Sequence, residues 1–339
     1  MILFAYNGLI MTMCGVSHWI SEEKMIRIGT VNIDTSHPKT YNNILLKGER
    51  ARYTAICNLG FRGREEVEGF KKLSGATEEY DTVEEMAKHV DVGFIHTVDW
   101  DKKLDYVEAF VKAGKPVFLD KPTAGNMKDV QRLRKLNAEG AMLLGSSCMQ
   151  YCDEVTNFLA IPVEQRGEIV HVYTTVGNDE FDYAMHAVSL MKGFFNNAKP
   201  VSARMCGSGD VNGMHSETYF FTFEGGKTAS FTTTFGKWQA SYTTIMTNKG
   251  VYTIPAINTP AAYEKIMDLV CTSVETKERH TADIEDLIDV SLALFAGKIS
   301  RENGGKEVKI SDIPDDYEGF NGTEFAIGYS KRAGKLFIV

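Results

Sequence analysis

Two short stretches of this 339-residue chain carry side chains able to do proton and charge chemistry together. The first is "PVFLDKPTAG", residues 116–125, where Asp120, Lys121 and Pro122 follow an apolar run. A proline holds the residue before it in extended backbone, so the Lys121 side chain can be aimed. A partly desolvated ammonium there can bind a hydroxyl and stabilise an alkoxide. The second is "DYAMHAVSL", residues 182–190, with Asp182 and His186 four apart. On a helix that spacing puts both on one face. An imidazole titrating near neutrality can take up a hydroxyl proton, with Asp182 orienting or charge-stabilising the system. Singly, neither stretch is diagnostic. A lysine after a strand is ordinarily solvated, and a helical Asp/His pair is ordinarily a cap and a surface pair.

A third stretch, "GTVNIDTSHPKTY" (29–41), sits where a nucleotide-binding loop belongs, between an apolar run and a helix. Such a loop normally carries G-x-G-x-x-G, whose glycines let backbone N–H groups approach a pyrophosphate. Here Gly29 comes three residues early, and Asn32 and Asp34 stand at glycine positions. Asp34 would repel a diphosphate. The helix start survives: Ser36 can cap it, Pro38 suits its first position, and Thr35, Ser36 and His37 can supply donors to an anion. Asp34 and His37 end one expected strand, and His96 and Asp99 end its neighbour. These four read either as hydrogen-bonding replacements for the glycines or as ligands of a divalent metal.

The elements that must position these groups follow from periodicity. "IRIGTVNI", "YTAIC", "VGFIHT", "PVFLD" and "AMLLGSS" are short apolar runs without polar alternation, as in strands buried on both faces. Between them lie helical patterns: a capping box at Thr82–Glu85, and stripes Leu104, Val107, Val111 and Val130, Leu133, Leu136, each ended by glycine. That alternation predicts a doubly wound parallel sheet, Rossmann-like, over 25–148. From 149 to 339 the rhythm changes. A long strand "EIVHVYTTV", a helix, then aromatic and Thr-rich strands separated by "EGG", "GK" and "NKG" predict an α+β domain with an open antiparallel sheet. Two more helices are expected near 260–274 and 281–296. One face of such a sheet needs a cover, here expected to be a second subunit in a homodimer or homotetramer.

Bulk properties narrow the field. The length suits two domains. Net charge −8 and the lack of a basic stripe exclude a nucleic-acid partner. The six cysteines are too scattered for a disulfide framework or a zinc ribbon and read as reduced thiols in a cytoplasmic protein. Residues 1–20 hold no Lys, Arg, Asp or Glu. The missing basic flank and cleavage site argue against a signal peptide, and Asn7, Gly8, Gly15 and His18 against a membrane span. Residues 1–24 are thus expected to be an atypical extension, with Met25 as the functional start.

With these residues in hand, "VKAGKPVFLDKPTAGNMKDVQRL" together with "DYAMHAVSL" resembles the Gfo/Idh/MocA family (glucose-fructose oxidoreductase, inositol dehydrogenase) over about 25–312. The resemblance implies an NAD- or NADP-dependent dehydrogenase. Its substrate would carry a secondary hydroxyl on a sugar, cyclitol or related polyol. It implies Lys121, Asp182 and His186 as the catalytic set. It puts the cofactor against Gly29, Asp34, Thr35, Ser36, His37, Asn58, Arg62, Thr97, Asp120, Lys121 and Pro122, with no metal. The family's ribose-gripping acid is replaced by Asn58, and Arg62 and Arg64 follow it, which admits NADP as readily as NAD. Two rivals stay open: a redox-inactive ligand-binding relative, and a metal-dependent lyase or hydrolase built on the Asp/His cluster.

Overall fold

The computed structural model describes residues 25–338, so the expectations for 1–24 lie outside the described residues. Six strands, β1 (Ile26–Val31), β2 (Ala51–Cys57), β3 (Glu78–Glu79), β4 (Val92–Ile95), β5 (Val117–Asp120) and β6 (Leu143–Ser146), form a parallel sheet in the order β3-β2-β1-β4-β5-β6. Helices α1 (His37–Gly48), α2 (Arg64–Ser74), α3 (Val83–His89), α4 (Lys103–Lys112) and α5 (Met127–Ala138) are the crossovers. The strand order reverses between β1 and β4, so both strands' C-terminal ends open on one crevice, where sheets of this kind bind ligands. The runs read as strands are fully buried at their centres because helices cover both faces. The two-residue β3 carries no apolar pattern and was not expected.

Helix starts show which local signals held. Thr82 Oγ1 accepts from Glu85 N at 3.3 Å, but Glu85 turns its carboxylate to Lys88 and His89, so only half of the capping box forms. Asn126 caps α5 through Asp129 N at 2.8 Å. Ser36 makes no side-chain cap on α1; Thr35 Oγ1 accepts from His37 N at 3.2 Å instead. Because α1 starts one residue earlier than expected, Pro38 sits at its second position.

The rest of the chain carries α6 (Asp153–Ala160), α7 (Val163–Arg166), β7 (Ile169–Asn178), α8 (Ala184–Phe194), β8 (Pro200–Val211), β9 (Met214–Phe223), β10 (Thr228–Phe235), β11 (Thr243–Thr247), β12 (Val251–Ile254), α9 (Thr259–Thr276), α10 (Ile284–Glu302), β13 (Val308–Lys309) and α11 (Gly322–Arg332). The second sheet runs β12-β11-β7-β10-β9-β8-β13. It is mixed rather than antiparallel. β10 lies parallel to β7 from Thr228↔His171 to Phe235↔Asn178, while β11 lies antiparallel on β7's other edge. The "GK" turn at 236–237 therefore does not close a hairpin, because β7 stands between the strands it joins. "EGG" and "NKG" do connect antiparallel neighbours. Helices α8 and α10 pack on this sheet, and α9 returns to pack on α1.

After β13 the chain crosses back to the first sheet. Trp100 Nε1 donates to Phe320 O at 2.8 Å, and Phe337 is buried against Phe70 with ring centroids 5.5 Å apart. The last segment is thus part of the wall around the crevice, a feature no motif announced.

Candidate active site and nucleotide cleft

Lys121 follows β5, and its peptide to Pro122 is cis. Its Nζ lies 2.7 Å from Asp182 Oδ2, with both side chains 8% exposed. Tyr183 covers the ammonium, its ring centroid 5.1 Å from Nζ. Burial opposes the lysine's charge, yet Asp182, Tyr183 and Asp120 outweigh it and hold the pKa above the ordinary lysine value. Lys121 is thus a fixed cation. Asp182 is not on a helix: α8 begins at Ala184, and Asp179 Oδ1 accepts from the N–H groups of Phe181 and Tyr183 at 2.8 and 3.1 Å. That turn lets Asp182 reach across to Lys121. Burial, with the neighbouring Asp182, raises the Asp179 pKa to about 7.

His186 stands in the first turn of α8, its Nδ1 2.8 Å from Ser147 Oγ. Burial, then the charges of Lys121 and of His37, lower its pKa to about 3. The imidazole is therefore neutral through the physiological range, not poised near neutrality as the sequence suggested. It lines a cavity of about 220 Å³ walled by Tyr183, Trp238, Gln239, Ser241, Thr259 and Tyr263. That lining holds no charged side chain.

Behind Lys121, Asp120 holds two histidines. Its carboxylate lies 2.7 Å from His37 Nδ1 and 2.8 Å from His96 Nδ1. The far nitrogens meet Tyr263 Oη at 3.2 Å and Tyr53 Oη at 3.1 Å. Burial works against the Asp120 charge, but His37 and His96 hold its carboxyl well below the usual range. Burial lowers the His96 pKa despite Asp120. Beneath lies Lys103, fully buried, whose Nζ donates to the carbonyls of Asp120 and Pro122 on either side of Lys121. Burial lowers its pKa to about 8.

The four-residue Asp/His cluster does not form. His37 and His96 face Asp120, whereas Asp34 and Asp99 face a different cavity. Both histidines commit Nδ1 to Asp120, so the metal-ligand reading has no geometry to rest on. Among the described residues no group of three or more His, Cys, Asp or Glu is placed to share a metal.

The second cavity, about 300 Å³, lies between the ends of β1, β2 and β4 and is lined by Asn32, Asp34, Gly60, Thr97 and Asp99 among others. Asn32 takes the left-handed conformation, φ 62°, that a glycine would supply, and its Oδ1 accepts from Leu59 N at 2.7 Å. Asparagine thus keeps the tight turn without glycine. The Asp34 carboxylate fills the space beside Gly60, where an added Cβ would meet Oδ1 at 2.1 Å. Its Oδ2 accepts from Val98 N at 3.2 Å, while Oδ1 is buried without a hydrogen-bond partner of ordinary geometry. Burial raises the Asp34 pKa to about 6, against the pull of the Val98 and Phe61 N–H groups and the Arg62 charge. Thr97 Oγ1 closes a local turn on Asp99 N.

The turn, the α1 N-terminus and this cavity fit the nucleoside half of a dinucleotide. Asp34 and the α11 residues Thr323, Ala326, Ile327 and Ser330 also line that cavity. The remaining expected contacts lie elsewhere. Gly29 is inside β1, where an added Cβ would touch Val90 and Met86 at 3.1 and 3.2 Å, so it serves helix–sheet packing and not the cleft. Asn58 Nδ2 donates to Arg62 O at 2.9 Å. Arg62 is buried and donates to Asp34 O, Glu66 and Gly334 O. Arg64 is exposed and pairs with Glu68 and Glu79. Neither arginine is turned to grip a 2′-phosphate. A larger hollow of about 920 Å³ lies at the opposite, N-terminal end of the strands, by Ile26, Pro116 and Ala141, away from this chemistry.

Lys103, Ser147, Asp179 and Tyr263 were not singled out in the sequence. Lys103 had a signal: it sits on the apolar stripe of α4 with Val107 and Phe110. Asp179 had one too, in the "NDEF" turn ahead of a helix. Ser147 and Tyr263 had none.

The chain thus joins a parallel sheet, its strand order reversing between β1 and β4, to an α+β domain that brings Asp182 to Lys121. Residues 26–145 match the Gfo/Idh/MocA model, described as an oxidoreductase family with an NAD-binding Rossmann fold. No curated protein sequence matches the chain. Among solved structures, scyllo-inositol dehydrogenase from Lactobacillus casei, with bound NAD(H) and scyllo-inositol, superimposes with a TM-score of 0.72 at 17% identity. The match covers 85% of this chain and 100% of that one. A probable dehydrogenase from Thermotoga maritima gives 0.72 at 16% identity, with coverage of 85% and 100%. Myo-inositol 2-dehydrogenase from Lactobacillus plantarum gives 0.71 at 15%, with 84% and 99%. At these identities the likeness is one of fold.

Proposed function

We propose that the protein is an NAD-dependent dehydrogenase that oxidises a secondary hydroxyl of a neutral sugar, cyclitol or related polyol. The observation that carries this reading is the Lys121–Asp182 pair at 2.7 Å, capped by Tyr183, which together with a neutral His186 lines an uncharged cavity of monosaccharide size. Lys121 donates to the substrate oxygen and stabilises negative charge as it develops. His186 takes the hydroxyl proton at Nε2, which requires its Nδ1–H to donate to Ser147 Oγ. Asp182 keeps Lys121 charged and in place. The nicotinamide, when bound, supplies the hydride acceptor, so the alcohol loses one hydride and one proton and becomes a ketone. The internal bonds of Arg62 and the surface pairs of Arg64 favour NAD over NADP.

The finer reading includes a homodimer or homotetramer through the second sheet and a cytoplasmic location. Val170, Val201, Met246 and Val251 are exposed on that sheet's strands, and the described cysteines are free thiols. Among the described residues no helix is long and apolar enough to cross a membrane. The test is NADH formation from NAD with a panel of neutral cyclitols and monosaccharides, wild type against Lys121→Met. Oxidation retained by the variant would remove the proposed chemistry. Asp34 at a glycine position favours a second reading, a redox-inactive ligand-binding protein, which predicts no nicotinamide binding at all.

A further inference from the structure

Residues 321–338 lie across the crevice that the nucleotide reading requires, fastened at both ends and lightly held between. At the near end Thr323 N donates to Asp101 Oδ2 at 3.0 Å, and Thr323 Oγ1 lies 3.2 Å from both Asp99 carboxylate oxygens. At the far end Arg62 Nη1 donates to Gly334 O at 2.7 Å, Leu336 N to Glu66 Oε1 at 2.8 Å, and Phe337 is buried on Phe70. Between these anchors, within α11, Gly322 alone is buried, and Ile327 is 53% exposed. A segment with so few buried contacts opens at low cost relative to the core.

The position of α11 matters because of what it covers. Thr323, Ala326, Ile327 and Ser330 form the outer wall of the cavity whose inner wall is Asn32, Asp34, Thr97 and Asp99. At about 300 Å³ that cavity takes one nucleoside, not the length of a dinucleotide. Further along, Tyr329 packs on Phe61, ring centroids 6.1 Å apart. After burial, the charges that act on its phenol include Lys121, Asp182 and Arg62.

We propose that 321–338 is a strap that competes with the dinucleotide: the cofactor binds fully only as α11 lifts, and a bound cofactor keeps it lifted. The proposal rests on the nucleotide-binding reading above. Lifting also takes Gly334 O from Arg62, leaving a guanidinium N–H at the cleft for a phosphate oxygen.

The test is hydrogen exchange across the intact protein with and without saturating NADH, together with NADH affinity of wild type and Phe337→Ala by calorimetry. The strap predicts faster exchange in 321–338 when NADH binds, while β1 and β4 become slower. It also predicts NADH binding about tenfold tighter in Phe337→Ala, because the competent state is more populated. Thr323→Val, which loosens the near anchor and leaves the core intact, should shift affinity in the same direction and serves if Phe337→Ala fails to fold. If NADH binds while 321–338 exchanges at an unchanged or slower rate, the strap is overturned and the nucleotide reading stands. If no form binds NADH although exchange shows 321–338 loosened in a variant, the nucleotide reading fails and the strap falls with it.

Discussion

Lys121 Nζ and Asp182 Oδ2 are 2.7 Å apart across the two domains, 61 residues apart in sequence, and nearly sealed from water. A buried pair of this kind is weak evidence for stability but a strong constraint on geometry, because removing one partner strands the other's charge.

Lys121→Met should therefore do two things. Turnover should fall by roughly 10²–10³-fold, the usual cost of removing one preorganised electrostatic donor. Stability should fall by about 3–5 kcal/mol from the stranded Asp182. Adding Asp182→Asn should recover most of the stability and none of the turnover. Steady-state rates and denaturant unfolding of the three forms check the two effects separately. A double variant no more stable than the single one would mean that the pair is not the source of the loss.

The neutrality of His186 can be read directly. Its pKa of about 3, set by burial and then by Lys121, lies below that of a free histidine. In Lys121→Met the ring should titrate higher, toward the ordinary value, in an NMR titration. A depressed folded pKa contributes stability above the unfolded pKa, near 6.5, and that contribution is lost as pH falls toward 3. His186→Asn should flatten this part of the stability profile. An unchanged profile would assign it to another group.

Asp34 predicts how nucleotide affinity depends on pH. Its pKa of about 6 means that it is mainly charged at neutral pH and mainly neutral at pH 5. A neutral carboxyl no longer repels a diphosphate, so NADH binding should tighten as pH falls through 6. A carboxylate a few ångströms from an anion opposes it by about 1–4 kcal/mol. Asp34→Asn should thus bind NADH at least about fivefold more tightly at pH 7.5, with little pH dependence. Weaker binding by the variant would make Asp34 a ligand contact.

Lys103 should act through Lys121. Its ammonium holds the carbonyls of Asp120 and Pro122, and Lys103→Met leaves both carbonyls short of a donor, at about 1–3 kcal/mol each. The rate should fall with NADH affinity unchanged, because the nucleoside cavity is untouched. The depressed Lys103 pKa adds a pH signature. Its contribution to stability is present above the unfolded value of 10.5 and is lost as pH falls through about 8. Comparing wild type and Lys103→Met at pH 7.5 and 9.5 separates this from a mere packing defect, which would shift both points equally.

What the sequence made legible follows the range of the interactions. The strand runs, the glycine stops and the Lys-Pro pair are local signals that the fold respects, whereas Asp182 falls ahead of the helix that carries His186. The loss of the β10–β11 hairpin was not legible, because β7 enters between those strands from more than 50 residues earlier. The same holds for the site. His37 lies 83 residues from Asp120 and 226 from Tyr263, and no spacing rule links such positions. The basicity of His186 was misjudged for a related reason. It depends on burial and on the charge of Lys121 in the other domain, neither of which a single helix encodes.

Asn32 has a last consequence. A glycine at that turn is free to adjust when a ligand arrives, and its freedom is an entropic cost of folding. Asparagine visits fewer conformations in the unfolded chain, and here its amide oxygen is tied to Leu59 N. The loop therefore reaches its shape before any ligand does. A pocket whose rim is set in advance selects among partners by shape and gives up the tolerance that would let it accommodate close analogues.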